Sequence, residues 1–350
     1  MDERVLKWIT VMNAVLMVTV CVCLYFLPGI NQPDVLLAQQ EDEAAKGYSQ
    51  SVSASPQRVV KQETYPTAQL CIELPSAVRK KDLDIKTDVL NRSVYLRFPG
   101  GVQDYFGNYA IRGSSDHIEE IIYYTENGDG VIVLELDGVY EVTYEYNRGS
   151  AYLSLLDPHE VYDKVLVLDA GHGGGAPGAV KQGIAEKTID LAILLETKKL
   201  FDACPENIGV YYTRTEDVNP TLEQRVKLAN AADADLFISI HNNSEASGKS
   251  NGTSGTLVMY SESDHSKKSG KKLAEICARK VSENFGSVNR GLLHGDRIYI
   301  IRESQVPAAL IEVGFMSNSG ELDKLSDSEY QKKAAKGIYE AVMEAFKEGY

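Results

Sequence analysis

Residues 165–175, VLVLDAGHGGG, decide how the second half of the chain is interpreted. An apolar run ends at an acidic residue, and a histidine then lies among glycines. A continuous apolar run that ends in turn residues is typical of a strand buried on both faces. The loop after the strand has three possible roles: a phosphate cradle, a metal site, or a tight turn that holds a histidine.

The segments that follow predict an α/β domain over residues 163–350. Apolar runs of strand length alternate with longer stretches whose apolar residues recur at helical spacing. Such alternation predicts a mainly parallel, twisted sheet with helices on both faces. The predicted strands are KVLVLDA, IGVYYTR, LFISI, GTLVMY, RIYII and AALIEV, and the predicted helices span 186–203, 220–232, 264–285 and 327–346.

Histidines and acidic residues follow these predicted strands. His172 comes after KVLVLDA, His241 after LFISI and Glu312 after AALI, while Glu186 begins the first helix. The carboxyl ends of parallel strands meet at one edge of a sheet, where ligands bind. Two imidazoles and one carboxylate form a zinc ligand set that leaves a position for water. A second carboxylate could then transfer the proton.

A nucleotide site is disfavoured by the same loop. Gly171-x-Gly173-x-x-Ala176 formally matches a dinucleotide fingerprint, which needs a helix to start inside the loop. Pro177, Gly178 and Gly183 intervene, and the predicted helix starts only at 186.

The first 67 residues predict a membrane anchor and a tether. Residues 8–27 contain no charge, and a helix of that length spans about 30 Å, the thickness of a bilayer core. Arg4 and Lys7 precede the run, which predicts a cytoplasmic N-terminus (1–7) and an extracytoplasmic remainder. A cleaved signal peptide is the alternative, with the same location for the rest of the chain. Residues 28–67 have the composition of a flexible linker.

Residues 68–160 predict a β-rich domain. Short alternating runs such as SVYLRF and GVIVLEL are separated by turn signals such as NGDG. His117 and His159 are isolated, so we expect a role in adhesion or positioning rather than catalysis.

Composition excludes some classes of protein. The formal net charge of −14 argues against nucleic-acid binding, which requires a basic face. Five cysteines, two of them inside the apolar N-terminal run, do not form a disulfide scaffold.

Five motifs together resemble a known family. LDAGHGGGAPGA, AEKTIDLAI, YYTR, FISIHNN and VPAALIEVGFMSN, in this order, resemble the zinc-dependent N-acetylmuramoyl-L-alanine amidases of the bacterial cell wall, the amidase-3 group. The resemblance runs from about Lys164 to the C-terminus. The β-rich domain resembles an AMIN-type wall-binding domain.

The resemblance implies an activity and a set of site residues. His172, Glu186 and His241 match the ligands of Zn²⁺, and Glu312 matches the catalytic glutamate. The implied reaction is hydrolysis of the amide between N-acetylmuramic acid and L-alanine of the peptidoglycan stem peptide, by a zinc-activated water with Glu312 as general base. The alternatives are a zinc hydrolase of another peptidoglycan bond and a wall-binding protein without catalysis.

Residues near the motifs are candidates for supporting roles. Asp169 is a candidate for a hydrogen bond to a ligand histidine or for capping the loop. Asn242 and Asn243 are candidates for substrate contacts, as is Arg302, although a salt bridge would explain that arginine equally well. His294 is predicted to lie in an exposed loop. The expected partners are peptidoglycan and, through the N-terminal helix, the membrane; any activator protein is left open.

The stretch between His241 and Glu312 bears on regulation. Some relatives carry a helical insert that plugs the zinc site, and this stretch contains one long predicted helix and no obvious extra element. We therefore expect an unplugged site.

Overall fold

The computed structural model describes residues 68–245, 252–262 and 269–350. The predicted anchor and tether lie outside the described residues. Within the described residues, no helix is long and apolar enough to cross a membrane.

Residues 68–156 form a sandwich of two four-stranded antiparallel sheets, called here the β-rich module. The strands are β1 (Leu70–Glu73), β2 (Asp84–Asp88), β3 (Ser93–Pro99), β4 (Ile111–Gly113), β5 (Ile118–Glu126), β6 (Asp129–Leu136), β7 (Glu141–Asn147) and β8 (Ser150–Leu156), with a short helix α1 (Tyr105–Asn108). The sheet orders are β4-β1-β8-β7 and β2-β3-β6-β5. Alternate residues of both sheets, such as Ile72 and Leu96, are fully buried in one shared core.

A second, α/β domain begins after the short helix α2 (Pro158–Val161). Its strands are β9 (Lys164–Ala170), β10 (Val180–Lys181), β11 (Ile184–Ala185), β12 (Ile208–Tyr212), β13 (Leu236–Asn243), β14 (Thr256–Tyr260), β15 (Asn289–His294) and β16 (Ala308–Phe315). Its helices are α3 (Glu186–Asp202), α4 (Leu222–Ala231), α5 (Gly270–Phe285), α6 (Tyr299–Arg302), α7 (Ser319–Leu325) and α8 (Ser328–Lys347).

The six-stranded sheet of this domain has the order β12-β9-β13-β16-β14-β15. Neighbouring strands are parallel except β14 and β16, which are antiparallel. The sheet is therefore mainly parallel, as predicted from the sequence, with one antiparallel pair of strands. The small hairpin of β10 and β11 stands apart from it.

Helices cover both faces of the sheet, because successive strand residues point to opposite sides. Leu166 and Leu168 of β9 pack with α3, α5 and α8. Val165 and Val167 pack on the opposite face with residues of α4 and α6. This second face carries the functional site.

Two segments differ from the sequence-based predictions. RIYII was predicted as a strand but contains helix α6, and GLLHGD was predicted as a loop but contributes to strand β15. A five-residue apolar run does not distinguish strand from helix, and Ile300 and Ile301 are both buried at the helix. Strand β15 lies at the sheet edge and is largely exposed, so it lacks an apolar pattern.

Two helices also begin at residues other than those predicted from the sequence. Helix α4 begins at Leu222 rather than at the predicted residue 220, because Thr221 and Gln224 form a capping box there. Helix α5 begins at Gly270 with Ser269 as N-cap. Its predicted start at 264 lies outside the described residues.

The β-rich module contacts the α/β domain on the α4 face. Val139 is buried in the core on that side of the sheet. The Tyr211 hydroxyl donates a hydrogen bond of 2.7 Å to Glu141, and the Gln224 side-chain amide donates one of 3.1 Å to Asn91. Both domains therefore contribute to the packing on this face of the sheet.

Candidate metal and catalytic site

Strand alternation places three predicted residues on one face of the sheet. Glu312 of β16 lies in register with His241 of β13, and Asp169 of β9 lies in register with Ser239. In each strand these positions share the parity of residues that pack on the α4 face. The carboxyl ends of three neighbouring strands thus supply an imidazole and two carboxylates to one region.

The glycine loop allows side chains to approach closely. A Cβ atom on Gly171 would collide with the His241 ring. Gly178 has φ +66°, and its Cβ would lie 2.6 Å from Glu186 Oε2 and 2.6 Å from a ring carbon of His172. The glycines therefore make room for two histidines and a glutamate to approach one another.

His172, Glu186 and His241 converge on one point. Glu186 Oε1 lies 3.2 Å from His172 Nε2 and 3.1 Å from His241 Nδ1. Ligands that bind zinc in a tetrahedron at 2.0–2.1 Å lie about 3.3 Å from one another. Two imidazole nitrogens and a carboxylate oxygen at these separations fit a zinc ion, and they are the three residues predicted as ligands.

A fourth residue, the buried acid Asp190, belongs to the cluster and was missed from the sequence. One atom from each of His172, Glu186, Asp190 and His241 can be chosen so that all lie within 4.8 Å of one another. Asp190 follows Glu186 by four residues, one helical turn, so both face the same way. That spacing was visible in AEKTIDLAI and was the available signal.

The two acids have opposite pKa shifts. Burial alone would raise the pKa of Glu186, but His172 and His241 outweigh it and the pKa is lowered. Burial and then the Glu186 carboxylate raise the pKa of Asp190 well above its usual range. Of the two acids, Glu186 is therefore the one whose surroundings favour the charged form.

Asn242 links these two acids. Its backbone N–H donates to Glu186 Oε1 at 3.1 Å, and its side-chain amide donates to Asp190 Oδ1 at 2.6 Å. The residue is buried, with 1% of its surface exposed. Both Asn242 and the half-buried Asn243 line the cavity described next.

A cavity of ≈ 160 Å³ opens beside the cluster. His172, Glu186, His241 and Glu312 line one part of it. Apolar residues line a further part of it, namely Leu222, Met259, Ile298, Ile300 and Leu310. The cavity therefore presents the ligands and the predicted catalytic glutamate to the same space, as a hydrolytic site requires.

The other candidates lie further from the cluster. Asp169 is fully buried and accepts hydrogen bonds from Thr213 at 2.6 Å, from Ser239 at 2.5 Å and from Arg225, so its partners differ from the ligand histidine predicted for it. Arg302 donates to Glu303 and lies over the Tyr299 ring.

Two further residues are placed by the structure. His294 is half exposed on β15, beside Tyr260. Arg214, by contrast, is buried and donates to backbone carbonyls rather than forming a surface salt bridge.

Comparison with known proteins identifies the α/β domain. The family model described as N-acetylmuramoyl-L-alanine amidase matches residues 166–344. The uncharacterised protein YqiI of Bacillus subtilis is 39% identical over 180 residues, which is 51% of this chain and 83% of YqiI. The germination-specific N-acetylmuramoyl-L-alanine amidase of the same organism is 32% identical over 200 residues, covering 53% of this chain and 81% of that protein.

A solved structure agrees with these matches. The crystal structure of an N-acetylmuramoyl-L-alanine amidase from Clostridium difficile 630 is 28% identical, with a TM-score of 0.50, and the match covers 53% of this chain and 98% of that one. Every one of these matches covers about half of this chain. On the sequence match over the α/β domain, this chain belongs to the Amidase_3 family of N-acetylmuramoyl-L-alanine amidases and is an enzyme of the cell wall.

Proposed function

We propose that the chain hydrolyses the amide between the lactyl group of N-acetylmuramic acid and L-alanine of the peptidoglycan stem peptide. His172, Glu186 and His241 would hold a zinc ion, and Glu312 would be the general base. The convergence of two imidazole nitrogens on one Glu186 oxygen, beside Glu312, is the observation that carries the proposal.

A bound zinc ion supplies a Lewis acid that polarises a carbonyl and lowers the pKa of water toward neutrality. The side chains of the protein would carry out the proton transfers. Glu312 accepts a proton from the attacking water and returns it to the amide nitrogen as the carbon–nitrogen bond breaks. The products are a lactyl carboxylate on the glycan and a stem peptide with a free alanine amine.

The apolar part of the cavity supports this role. Met259, Ile298 and Leu310 line the same cavity as Glu312 and make that part of it apolar. A carboxylate in such surroundings exchanges protons with the substrate rather than with bulk water. Asn243 and Tyr299 are two of the polar residues that line the cavity, and we expect them to contact the amides of the stem peptide.

The experiment is digestion of purified peptidoglycan by the full chain in detergent, with mass spectrometry of the products. Release of stem peptides with N-terminal alanine, lost with a zinc chelator and restored by zinc, is the expected result. Glu312→Gln should abolish release while Glu303→Gln, an exposed glutamate beside Arg302, should not change it.

Other products would favour the alternatives. Free acetate would indicate a deacetylase, and free D-alanine would indicate a carboxypeptidase. Glycopeptides that stay intact under all conditions, with peptidoglycan retained on the protein, would indicate a wall-binding protein.

We also propose a location for the enzyme. The uncharged run at residues 8–27 and the basic residues before it support an anchor in the cell membrane, with the β-rich module and α/β domain on the outer side. The β pattern and its position support an AMIN-like role in wall binding for residues 68–160. Protease digestion of intact cells tests the first proposal, and co-sedimentation of a module-deleted chain with purified wall tests the second.

A further inference from the structure

Two buried arginines hold the backbone that carries His172. The carbonyl of Ala170 accepts hydrogen bonds from Arg214 Nε at 2.9 Å and from Arg225 Nη1 at 2.7 Å. The next carbonyl, of Gly171, accepts from Arg214 Nη2 at 2.6 Å, and that of His172 accepts from Arg225 Nη2 at 2.8 Å. Three successive carbonyls are therefore bound by two guanidinium groups, which are 3% and 2% exposed.

The backbone at this point needs such support. His172 has φ +57°, in the left-handed region that favours glycine. A residue other than glycine pays about 1–2 kcal/mol to occupy this region. The conformation persists only where the surroundings fix it, and the arginine hydrogen bonds are the contacts that fix it here.

Arg214 also joins the two ends of the ligand set. The same Nη2 atom that binds the Gly171 carbonyl donates 2.9 Å to the carbonyl of Lys187. Lys187 follows Glu186 in the first turn of α3. One guanidinium therefore fixes the backbone beside His172 relative to the backbone beside Glu186.

Asp169 balances the buried charge. Burial lowers the pKa of Arg214, and the neighbouring positive charge of Arg225 lowers it further. Asp169 lies against Arg225 and is itself fixed by Thr213 and Ser239. A buried guanidinium without such a partner would be strongly destabilising.

We propose that Arg214 and Arg225 are positioning residues, a guanidinium clamp that orients His172 against Glu186 and thereby sets the affinity of the site for zinc. This inference rests on the proposed function. Lysine cannot replace either residue, because each arginine binds several carbonyls in different directions through one planar fork. The clamp acts through the backbone that carries the ligands.

The test compares Arg214→Lys and Arg225→Lys in the full chain with a control, Arg279→Lys. Arg279 forms an ion pair with Glu344 on the opposite side of the sheet. Zinc affinity is measured by competition with a chromophoric chelator, and folding by thermal unfolding of the zinc-free protein. We expect about a tenfold or greater loss of zinc affinity in both clamp variants, and no change in the control.

Activity gives a second readout. A positioning role predicts that excess zinc restores most of kcat in the lysine variants, with KM unchanged. If a lysine variant does not fold, Ser239→Ala takes its place, because it loosens Asp169 while both arginines stay. We expect a smaller, measurable loss of zinc affinity in that variant.

If the lysine variants fold and their zinc affinity lies within twofold of the wild-type value, the clamp proposal is wrong. A different result would contradict the proposed function but not the clamp. In that case the wild type would release no peptides with an N-terminal alanine, while the zinc affinity would still fall in the lysine variants.

Discussion

His241 and Glu312 lie side by side on the parallel strands β13 and β16, in the same register and on the same face of the sheet. One is a predicted metal ligand and the other the predicted base. Their separation is fixed by a ladder of backbone hydrogen bonds rather than by a flexible loop. Neutralising Glu312 should therefore change proton transfer and leave metal binding intact.

The first prediction follows from that relationship. Glu312→Gln should lower kcat by about 10²–10⁴-fold, the range for loss of a general base, while zinc content stays at the wild-type level. Steady-state kinetics and metal analysis of the same preparation measure both. Equal loss of zinc and activity would instead make Glu312 a ligand or a structural residue.

The second prediction concerns the glycine loop. Gly178→Ala should impair zinc binding strongly, because the new Cβ would lie 2.6 Å from both Glu186 and His172. Gly183→Ala is the matched control: its φ of +79° is equally unfavourable for alanine, but nothing lies within 4 Å of the new Cβ. Zinc titration should separate the two variants by more than tenfold. Similar behaviour of both would show that backbone strain, not side-chain approach, governs the loop.

The third prediction is a pH dependence of stability. Burial alone would raise the pKa of Asp169, but Arg225, Ser239 and Thr213 outweigh it and the pKa is lowered. The stabilisation is therefore present above the unfolded value of about 3.9 and is lost as the pH falls through the lower folded value.

Urea unfolding of zinc-free protein measures this effect. Asp169→Asn should be less stable than the wild type by about 3–5 kcal/mol at pH 7, because Arg225 loses its partner. The difference should shrink as the pH falls below about 4. A constant difference across this range would exclude a charge effect at Asp169.

The fourth prediction addresses contact between the domains. Val139 of the β-rich module is buried with residues of the α/β domain, including Val165 and Phe237. Val139→Ala should destabilise the α/β domain by about 1–3 kcal/mol, seen as faster amide hydrogen exchange in β9 and α4. Val142→Ala, which packs within the module's own core, should affect exchange only in the module. Unchanged exchange in the α/β domain for Val139→Ala would show that the two domains are independent.

The sequence by itself determined most of the strands and helices and the four residues proposed for the site. Buried strands can be recognised in the sequence as apolar runs. A histidine or glutamate that directly follows such a run lies at the carboxyl end of the strand, and therefore at one edge of the sheet. His172, His241 and Glu312 could be predicted in this way, and Glu186 could be predicted from its position at the start of the first helix. The structure brings all four together around one cavity. The resemblance of five ordered motifs to one family pointed to the same residues.

Only the tertiary structure decided what supports those residues. Asp190, Arg214 and Arg225 are polar residues in a helix or after an edge strand, where the sequence predicts solvent exposure, and all three are buried. Their partners are backbone carbonyls and side chains distant along the chain, such as Arg225 with His172 and Asp190 with Asn242. Hydrogen bonds of this kind depend on how strands and helices pack in space, and no local pattern of apolar and polar residues encodes them.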